Sequence, residues 1–347
     1  MKAFVLRATG GLAHTAVAEV PEPGAPGPGE VRVALRAAAL NHLDLFVVDG
    51  LPGLPRSLPH VLGSDGAGIV DQVGEGVSWK PGDRVMVNPG ISDYTCEFCL
   101  KGEHSLCVEY AILGEHLPGL MTEYITVPAR NLARIPTIDP ALTWTEAAAF
   151  SLVSLTAWRM VVTRAAVRAG EWVLVWGIGG GVSLAAMRIA KLLGARVIAT
   201  SSSDAKRERA RALGADVTLN HRTQSVFKEV RALTAKRGVD VVVENVGEAT
   251  WADSLRSLAK GGRIVTCGGT SGPKLMTDVR PLFWHQFSIL GSTMGNAGEY
   301  AAVVEQLGRG ELRPIVDAEY PLARAREALE QLEQGGQLGK IAITIAE

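Results

Sequence analysis

Cysteine is scarce in this chain of 347 residues: Cys96, Cys99 and Cys107 lie close together and Cys267 stands apart. Four thiols so distributed exclude a secreted disulfide framework. Charge of one sign is lacking too. Thirty-five Lys and Arg offset 36 Asp and Glu for a net charge of -1, which excludes nucleic acid and anionic membrane as partners. No apolar run is long enough to cross a bilayer or to act as a signal peptide, and Met1 to Arg7 reads as a strand, so a cytoplasmic location is expected. Internal repeats, low-complexity segments and long linkers are absent as well. What the chain does have is glycine, 39 residues of it, and 47% apolar residues, enough to bury a large core in two domains.

The clustered thiols are the most informative feature. A Cys-x2-Cys pair places two thiolates on one ion without straining the backbone, and Cys107 adds a third. Asp93, three residues ahead of Cys96, is the expected fourth ligand, with His104, Glu97 and Glu103 as competitors. Four protein ligands leave no vertex for water or substrate, so the predicted Zn²⁺ braces its loop rather than catalysing. An oxygen ligand holds zinc less tightly than a fourth thiolate would.

The pattern along the chain changes twice. Up to about residue 130 it consists of short strands and turns, with Val31 to Leu35 alternating, Gly66 to Val73 a small-residue strand, and Pro81-Gly82-Asp83 a turn before Arg84 to Val87. From Thr143 to Val162 the spacing is helical. Strand and helix units follow: Trp172 to Trp176, a helix through Lys191, Arg196 to Ala199, and a charged helix from Asp204 to Leu213. With Val217 to Leu219, Val239 to Val243, Arg263 to Cys267 and Ile289 to Leu290, this predicts a doubly wound parallel sheet of six strands, an α/β fold. Gly298 to Leu307 and Leu322 to Leu332 read as helices, and Ile341 to Ile345 as a last strand returning to the first domain.

Between the first strand and first helix of that sheet lie Gly177, Gly179, Gly180 and Gly181. They let the backbone approach a pyrophosphate, whose charge meets N–H groups and the positive end of a helix beginning near Val182. The third glycine of the usual fingerprint is replaced by Ser183 or Val182, depending on register, a departure expected to loosen helix-to-strand packing at most. At the end of the second strand, where an acidic side chain would bind the ribose hydroxyls of NAD, stand Thr200, Ser201, Ser202 and Ser203. With no carboxylate to repel a 2'-phosphate, and with Lys206 and Arg207 just beyond, NADP(H) is expected over NAD(H). The opposing reading gives Asp204 the NAD role and leaves both basic residues on a solvated helix face.

These residues together resemble a medium-chain dehydrogenase/reductase, the group that includes zinc alcohol dehydrogenases and quinone oxidoreductases. The resemblance runs end to end, through Gly63-Ser64-Asp65-Gly66-Ala67-Gly68, Gly74-Glu75-Gly76-Val77, Pro81-Gly82-Asp83-Arg84-Val85, the cysteine loop, Glu123-Tyr124, Thr156-Ala157-Trp158, the glycine-rich turn and Gly291-Ser292. It implies a GroES-like β-rich catalytic domain over residues 1–152, a Rossmann NADP(H)-binding domain over 153–292, a return to the catalytic domain over 293–347, and a cleft between the two. It also implies a homodimer or homotetramer, often joined through the last sheet strand, and a nicotinamide pocket formed by Thr156, Val246, Cys267 and Gly268.

The departures from that resemblance bear on the chemistry. Zinc alcohol dehydrogenases place a catalytic cysteine where this chain has Asn41, a histidine at Ser64, an acid at Asp65 and commonly a cysteine near Leu152; their proton-relaying hydroxyl falls on Leu43. Only the acid survives, so a catalytic zinc is not expected. Asn41-His42-Leu43-Asp44 and Gly63-Ser64-Asp65 resemble the zinc-independent, quinone-oxidoreductase-like branch, whose members usually lack the cysteine loop. Without a Lewis acid the small-molecule hydride acceptor must already be electrophilic, as in a quinone or a C=C conjugated to a carbonyl. Asn41 is the first candidate to face the substrate carbonyl or the nicotinamide ribose, with Ser64, or His42 through water, assisting. A phosphate or packing contact is the preferred role for His42 over proton donation. Asp44 and Asp65 are expected to hold loops or a basic neighbour, and Phe46, Leu51, Leu54 and Trp284 are candidates for a substrate wall that by default belong to the core. Two further readings stay open: an alcohol dehydrogenase whose catalytic metal is held by Asp65 with His42 or His60, and a non-catalytic NADPH-binding sensor.

Overall fold

The computed structural model describes residues 1–51 and 57–346, and the chain divides into two compact units, Met1–Leu152 with Gly295–Glu347, and Val153–Met294. Leu54 lies outside the described residues.

In the first unit, alternation of small and apolar residues builds a seven-stranded sheet. Its path runs Leu132–Arg134, Arg84–Val87, Asp65–Val73, Glu30–Ala39, Lys340–Thr344 and Val316–Pro321, with Tyr124–Pro128 pairing onto Glu30–Ala39 beside that path. The last strand, Lys340–Thr344, thus returns to the first unit and pairs antiparallel with Glu30–Ala39 through Ala342 and Ala39. Lys2–Leu6 forms a separate small sheet with Thr15–Glu19 and His60–Val61. Phe4, Leu6, Leu62, Met121, Leu329, Ile341 and Ile343 share one buried cluster with Leu45, Val47 and Val48 of the helix His42–Asp49. Each such side chain contributes roughly 1.5–3 kcal/mol on burial. That packing fixes the helix and, at its N-cap, Asn41. The sequence reading treats residues 41–44 only as a motif; the helix is an addition.

The second unit holds six parallel strands in the order Val217–Leu219, Arg196–Thr200, Trp172–Val175, Val239–Glu244, Leu258–Thr266, Ser288–Gly291. Numbered along the chain this is 3-2-1-4-5-6, the doubly wound arrangement in which ligands bind beyond the carboxyl ends of the strands. Val173, Leu174, Val175, Val241, Val242 and Val243 are fully buried, as a strand covered on both faces requires. The crossovers include the helices Gly181–Leu192, Asp204–Ala212, Val226–Leu233 and Glu248–Ser257. The helical stretch expected from Thr143 to Val162 is divided into Trp144–Ala148, Ser151–Trp158 and a π-helical turn at Arg159–Arg164. The fifth strand ends at Thr266, so Cys267 stands just past it.

Candidate functional site

A cysteine loop follows the short strand Gly90–Ile91, which pairs with Ala111–Ile112 and so clamps the loop's ends. Single ligand atoms of Asp93, Cys96, Cys99 and Cys107 lie within 4.8 Å of one another. Tetrahedral Zn²⁺ with sulfur at about 2.3 Å needs ligand atoms at nearly this spacing, and three thiolates with a carboxylate suit zinc chemically. Asp93 Oδ1 accepts from the backbone N–H groups of Thr95 (2.7 Å) and Cys96 (3.0 Å). Those donors, Cys96 first, hold its carboxyl well below the usual range, so it is anionic at neutral pH. Tyr94 adopts φ 62°, turning the chain between Asp93 and the first cysteine. Two of the three competing ligands are occupied elsewhere: His104 stacks on Tyr94 with ring centroids 4.3 Å apart and accepts from the Ala297 N–H, while Glu97 pairs with Lys101.

The second cluster joins Asn41, Asp65 and Lys340 in the first unit. Asp65 is completely buried, and Asn41 and Lys340 are nearly so. Lys340 Nζ donates to Asn41 Oδ1 at 2.5 Å and to Asp65 Oδ2 at 2.9 Å. Asn41 Nδ2 donates to the same Asp65 oxygen at 3.0 Å, and the Leu152 N–H donates to Oδ1 at 2.8 Å. Asp44, at the third position of the helix His42–Asp49, accepts from the N–H groups of Asn41 and Gly63. Burial pushes its carboxyl up to about 7, against the opposing pull of the Asn41 N–H and Lys340.

This arrangement bears on the roles expected for Asn41 and Ser64. Both ends of the Asn41 amide are committed to buried partners, because the helix N-cap directs it inward. Ser64 is fully enclosed: a Cβ on Gly114 would lie 2.9 Å from its Oγ, which has no hydrogen-bond partner among the described residues. His42 is exposed, its ring edge-on to Phe46 at 5.1 Å, and desolvation lowers its pKa, with Asp49 opposing. Leu51 packs against the core cluster, and Trp284 of the second unit is exposed. The sequence reading missed Lys340, although a lone lysine opening the apolar Ile341-Ala342-Ile343 strand is a signal that a buried acid awaits it.

In the second unit, the turn after Trp172–Val175 places Gly177 in the left-handed region, φ 61°, where its N–H donates to Thr200 Oγ1 at 3.1 Å. Gly180 is the N-cap of the helix Gly181–Leu192, with no side chain capping it and no acid in the first turn, where Val182 lies. Open N–H groups at a helix start next to clear backbone suit a diphosphate. The gap beside Gly177 faces Val246, whose Cγ2 would sit 3.7 Å from an added Cβ. Gly179 follows in the same turn. Gly268 comes close to Asn245, and burial pushes the Cys267 thiol up to about 12. Thr156 is buried, its hydroxyl 3.5 Å from Met294 Sδ.

Beyond the second strand, Ser201 is buried and Ser202 exposed, and Ser203 caps the next helix by accepting from the Lys206 N–H. Arg207 is paired with Asp204. The loop after the third strand approaches the same place: His221 Nδ1 lies 3.3 Å from Thr200 Oγ1, and Asn220 Nδ2 donates to the Ser202 carbonyl at 3.4 Å. These two residues were missed, though parallel pairing of Thr200 with Leu219 brings them there.

Ser183 does not loosen the packing as the sequence suggests. Fully buried, its Oγ donates to the Trp176 carbonyl at 2.7 Å and accepts from Asn245 Nδ2 at 3.0 Å. A parallel route runs from Trp176 Nε1 to Ser254 Oγ (2.8 Å) and on to Glu244 Oε2 (2.6 Å). Glu244 accepts from the Val246 and Gly247 N–H groups and from Thr250 Oγ1.

Residues 27–137 match the alcohol dehydrogenase GroES-like domain family, and residues 181–309 match the zinc-binding dehydrogenase family. A zinc-type alcohol dehydrogenase-like protein of Schizosaccharomyces pombe is 34% identical over 92% of this chain and 91% of its own length. The acryloyl-coenzyme A reductase of Metallosphaera sedula is 32% identical over 99% of this chain and all of its own. A crystal structure described as an NAD-dependent alcohol dehydrogenase is 47% identical, covers both chains completely and superposes with a TM-score of 0.94. Likeness of this extent, in sequence and in both units, settles descent: the chain belongs to the medium-chain dehydrogenase/reductase superfamily and is an NAD(P)H-dependent oxidoreductase.

Proposed function

We propose that this enzyme is an NADPH-dependent reductase of quinones or α,β-unsaturated carbonyl compounds that carries one structural zinc and works without a catalytic metal. The observation behind this reading is the Lys340 ammonium, 2.5 Å from Asn41 Oδ1 and 2.9 Å from Asp65 Oδ2. The oxygens that would have to ligate a catalytic ion already serve a cation. A divalent metal at the same oxygens would meet that ammonium across a poorly solvated interior, where like charges repel strongly. His60, one of the two histidines that an unusual metal set would use, is buried with Nε2 3.0 Å from the Gly114 carbonyl. An acceptor that needs no Lewis acid is therefore favoured, and the acryloyl-coenzyme A reductase similar to this chain bears a name that describes reduction of such a conjugated C=C.

A nicotinamide cofactor, when bound, supplies the hydride. The chain's own residues bind and orient it: Gly177, Gly179, Gly180, Gly181 and Val182 offer backbone N–H groups and clearance to the diphosphate, while Thr156, Val246, Cys267 and Gly268 line the nicotinamide end. Ser201, Ser202 and Lys206 receive the adenosine ribose and its 2'-phosphate. No carboxylate belongs to that group, since Asp204 is turned to Arg207. His42, exposed and neutral near pH 7, serves a cofactor-phosphate or packing contact ahead of proton donation through water. Asn41 acts by holding Asp65 and Lys340 in place. Asp93, Cys96, Cys99 and Cys107 hold the zinc, which stiffens residues 93–107.

A second reading, NAD-dependent alcohol oxidation, is favoured by the description of the crystal structure that is 47% identical. The test separates the two. Purified protein is assayed for NADPH oxidation with an enone, an unsaturated thioester and a quinone, and for NAD⁺ reduction with alcohols, each with and without a chelator. Chelator-insensitive enone or quinone turnover is the expected result. Activity confined to alcohols and abolished by chelation overturns the proposal, and tight cofactor binding with no turnover makes the protein a sensor.

A further inference from the structure

Ser183 lies in the first turn of the helix Gly181–Leu192, at or next to the position where the dinucleotide-binding fingerprint normally carries its third glycine. A glycine there has no side chain, whereas Ser183 Oγ makes two hydrogen bonds in a completely buried position. One reaches back to the Trp176 carbonyl, immediately before the glycine-rich turn. The other comes from Asn245, the first residue beyond the strand Val239–Glu244. The Asn245 carbonyl in turn accepts from the Thr270 N–H at 3.3 Å, and the Val246 carbonyl accepts from both Ser271 N–H and Oγ at 2.7 Å. The segments 177–183 and 245–247 at the carboxyl edge of the sheet are thereby joined through one hydroxyl and one amide, and 268–271 is joined to them through the backbone carbonyls of Asn245 and Val246.

We infer that Ser183 is a positioning residue: through Asn245 it fixes the spacing between the turn that binds the diphosphate and the loops that line the nicotinamide, and so sets where the nicotinamide ring lies. The inference rests on the cofactor reading given above. It separates the two ends of one ligand, because the tether does not touch the adenosine side. Removing the hydroxyl leaves the glycine turn and Ser201 to Ser203 intact and cuts the link between that turn and Asn245, while Glu244 and Ser271 still hold the Val246 loop to its own strand and to residues 268–271. A role confined to filling space would weaken both ends alike or neither.

The experiment compares Ser183→Ala, Ser183→Gly, Asn245→Ala and the Ser183→Ala/Asn245→Ala double variant with the unaltered protein. Two ligands are titrated: NADPH, and 2'-phospho-ADP-ribose, which lacks the nicotinamide. Loss of one buried hydrogen bond corresponds to about a fivefold to tenfold change in an equilibrium. The expected result is an NADPH Kd raised by about that factor in each single variant, a fragment Kd within about twofold of the unaltered protein, and a double variant no worse than the singles. Ser183→Ala keeps the Cβ and the helix propensity, so it removes the hydroxyl with the least effect on folding. Equal weakening of both ligands, an unchanged NADPH Kd, or additive effects in the double variant would overturn the tether. Failure of the unaltered protein to bind either ligand would instead remove the cofactor reading, and the tether with it.

Discussion

Lys340 is the residue on which the proposed metal-free chemistry turns. Its ammonium, Asp65 and the Asn41 amide form a buried set whose members satisfy one another, so removing one leaves an uncompensated charge. Lys340→Met is expected to destabilise the fold by about 3–5 kcal/mol, measured by chemical unfolding, and Lys340→Arg by less. A Met variant as stable as the parent would show that the pair is dispensable. Asp44 adds a pH dependence. Its carboxyl is ordinary in the unfolded chain, near 3.8, and stands at about 7 when folded. The folded state therefore holds the proton more tightly: the stability it contributes is fully present below about pH 4 and is lost as pH rises through 7. Asp44→Asn, compared with the parent across that window, should remove a decline of roughly 2–4 kcal/mol; identical pH profiles would mean that Asp44 ionises normally. Neither effect was legible from sequence. Asn41, Asp44, Asp65 and Lys340 are polar residues in three separate stretches, and only the pairing of Lys340–Thr344 with Glu30–Ala39 brings the lysine to them.

At the scale of elements, legibility followed locality. The candidate metal loop was readable because its four residues fall within fifteen positions, and the structure brings Asp93 to the three cysteines while His104 stacks on Tyr94. Replacing the weaker oxygen ligand is informative: Asp93→Cys should raise zinc affinity, and Cys96→Ser should lower it at least tenfold, both by competition with a chromophoric chelator. Unchanged affinity in both would remove zinc from the loop. The glycine turn was readable because clearance, an apolar strand and a helix start occur together at residues 172–192. Ser183 was misjudged for the opposite reason: its partner Asn245 is 62 residues away. For cofactor choice, Ser201→Asp would set a carboxylate where the 2'-phosphate is proposed to lie. An expected rise of about tenfold or more in KM for NADPH, with little change for NADH, checks it; an equal effect on both would place the phosphate elsewhere.

At the scale of the whole molecule, the periodicities of 2 and 3.6 gave both units their class, whereas the strand order 3-2-1-4-5-6, one of several that right-handed crossovers allow, needed the structure. Less predictable was what the second unit leaves uncovered. Its edge strand Ser288–Gly291 pairs on one side only among the described residues, and Val279, Phe283, Trp284 and Ile289 are exposed in the same stretch. An open edge beside exposed aromatics suits a second copy of the chain, edge against edge. Ile289→Lys is expected to shift the protein from dimer or tetramer toward monomer in light scattering; a parent that is already monomeric would contradict this. The central claim, a braced loop and a metal-free reducing centre, is tested most directly by counting zinc per subunit on protein purified without added metal, alongside NADPH oxidation with an enone. About one zinc with turnover is the predicted result, and two zincs, or turnover that requires the second, would contradict the account.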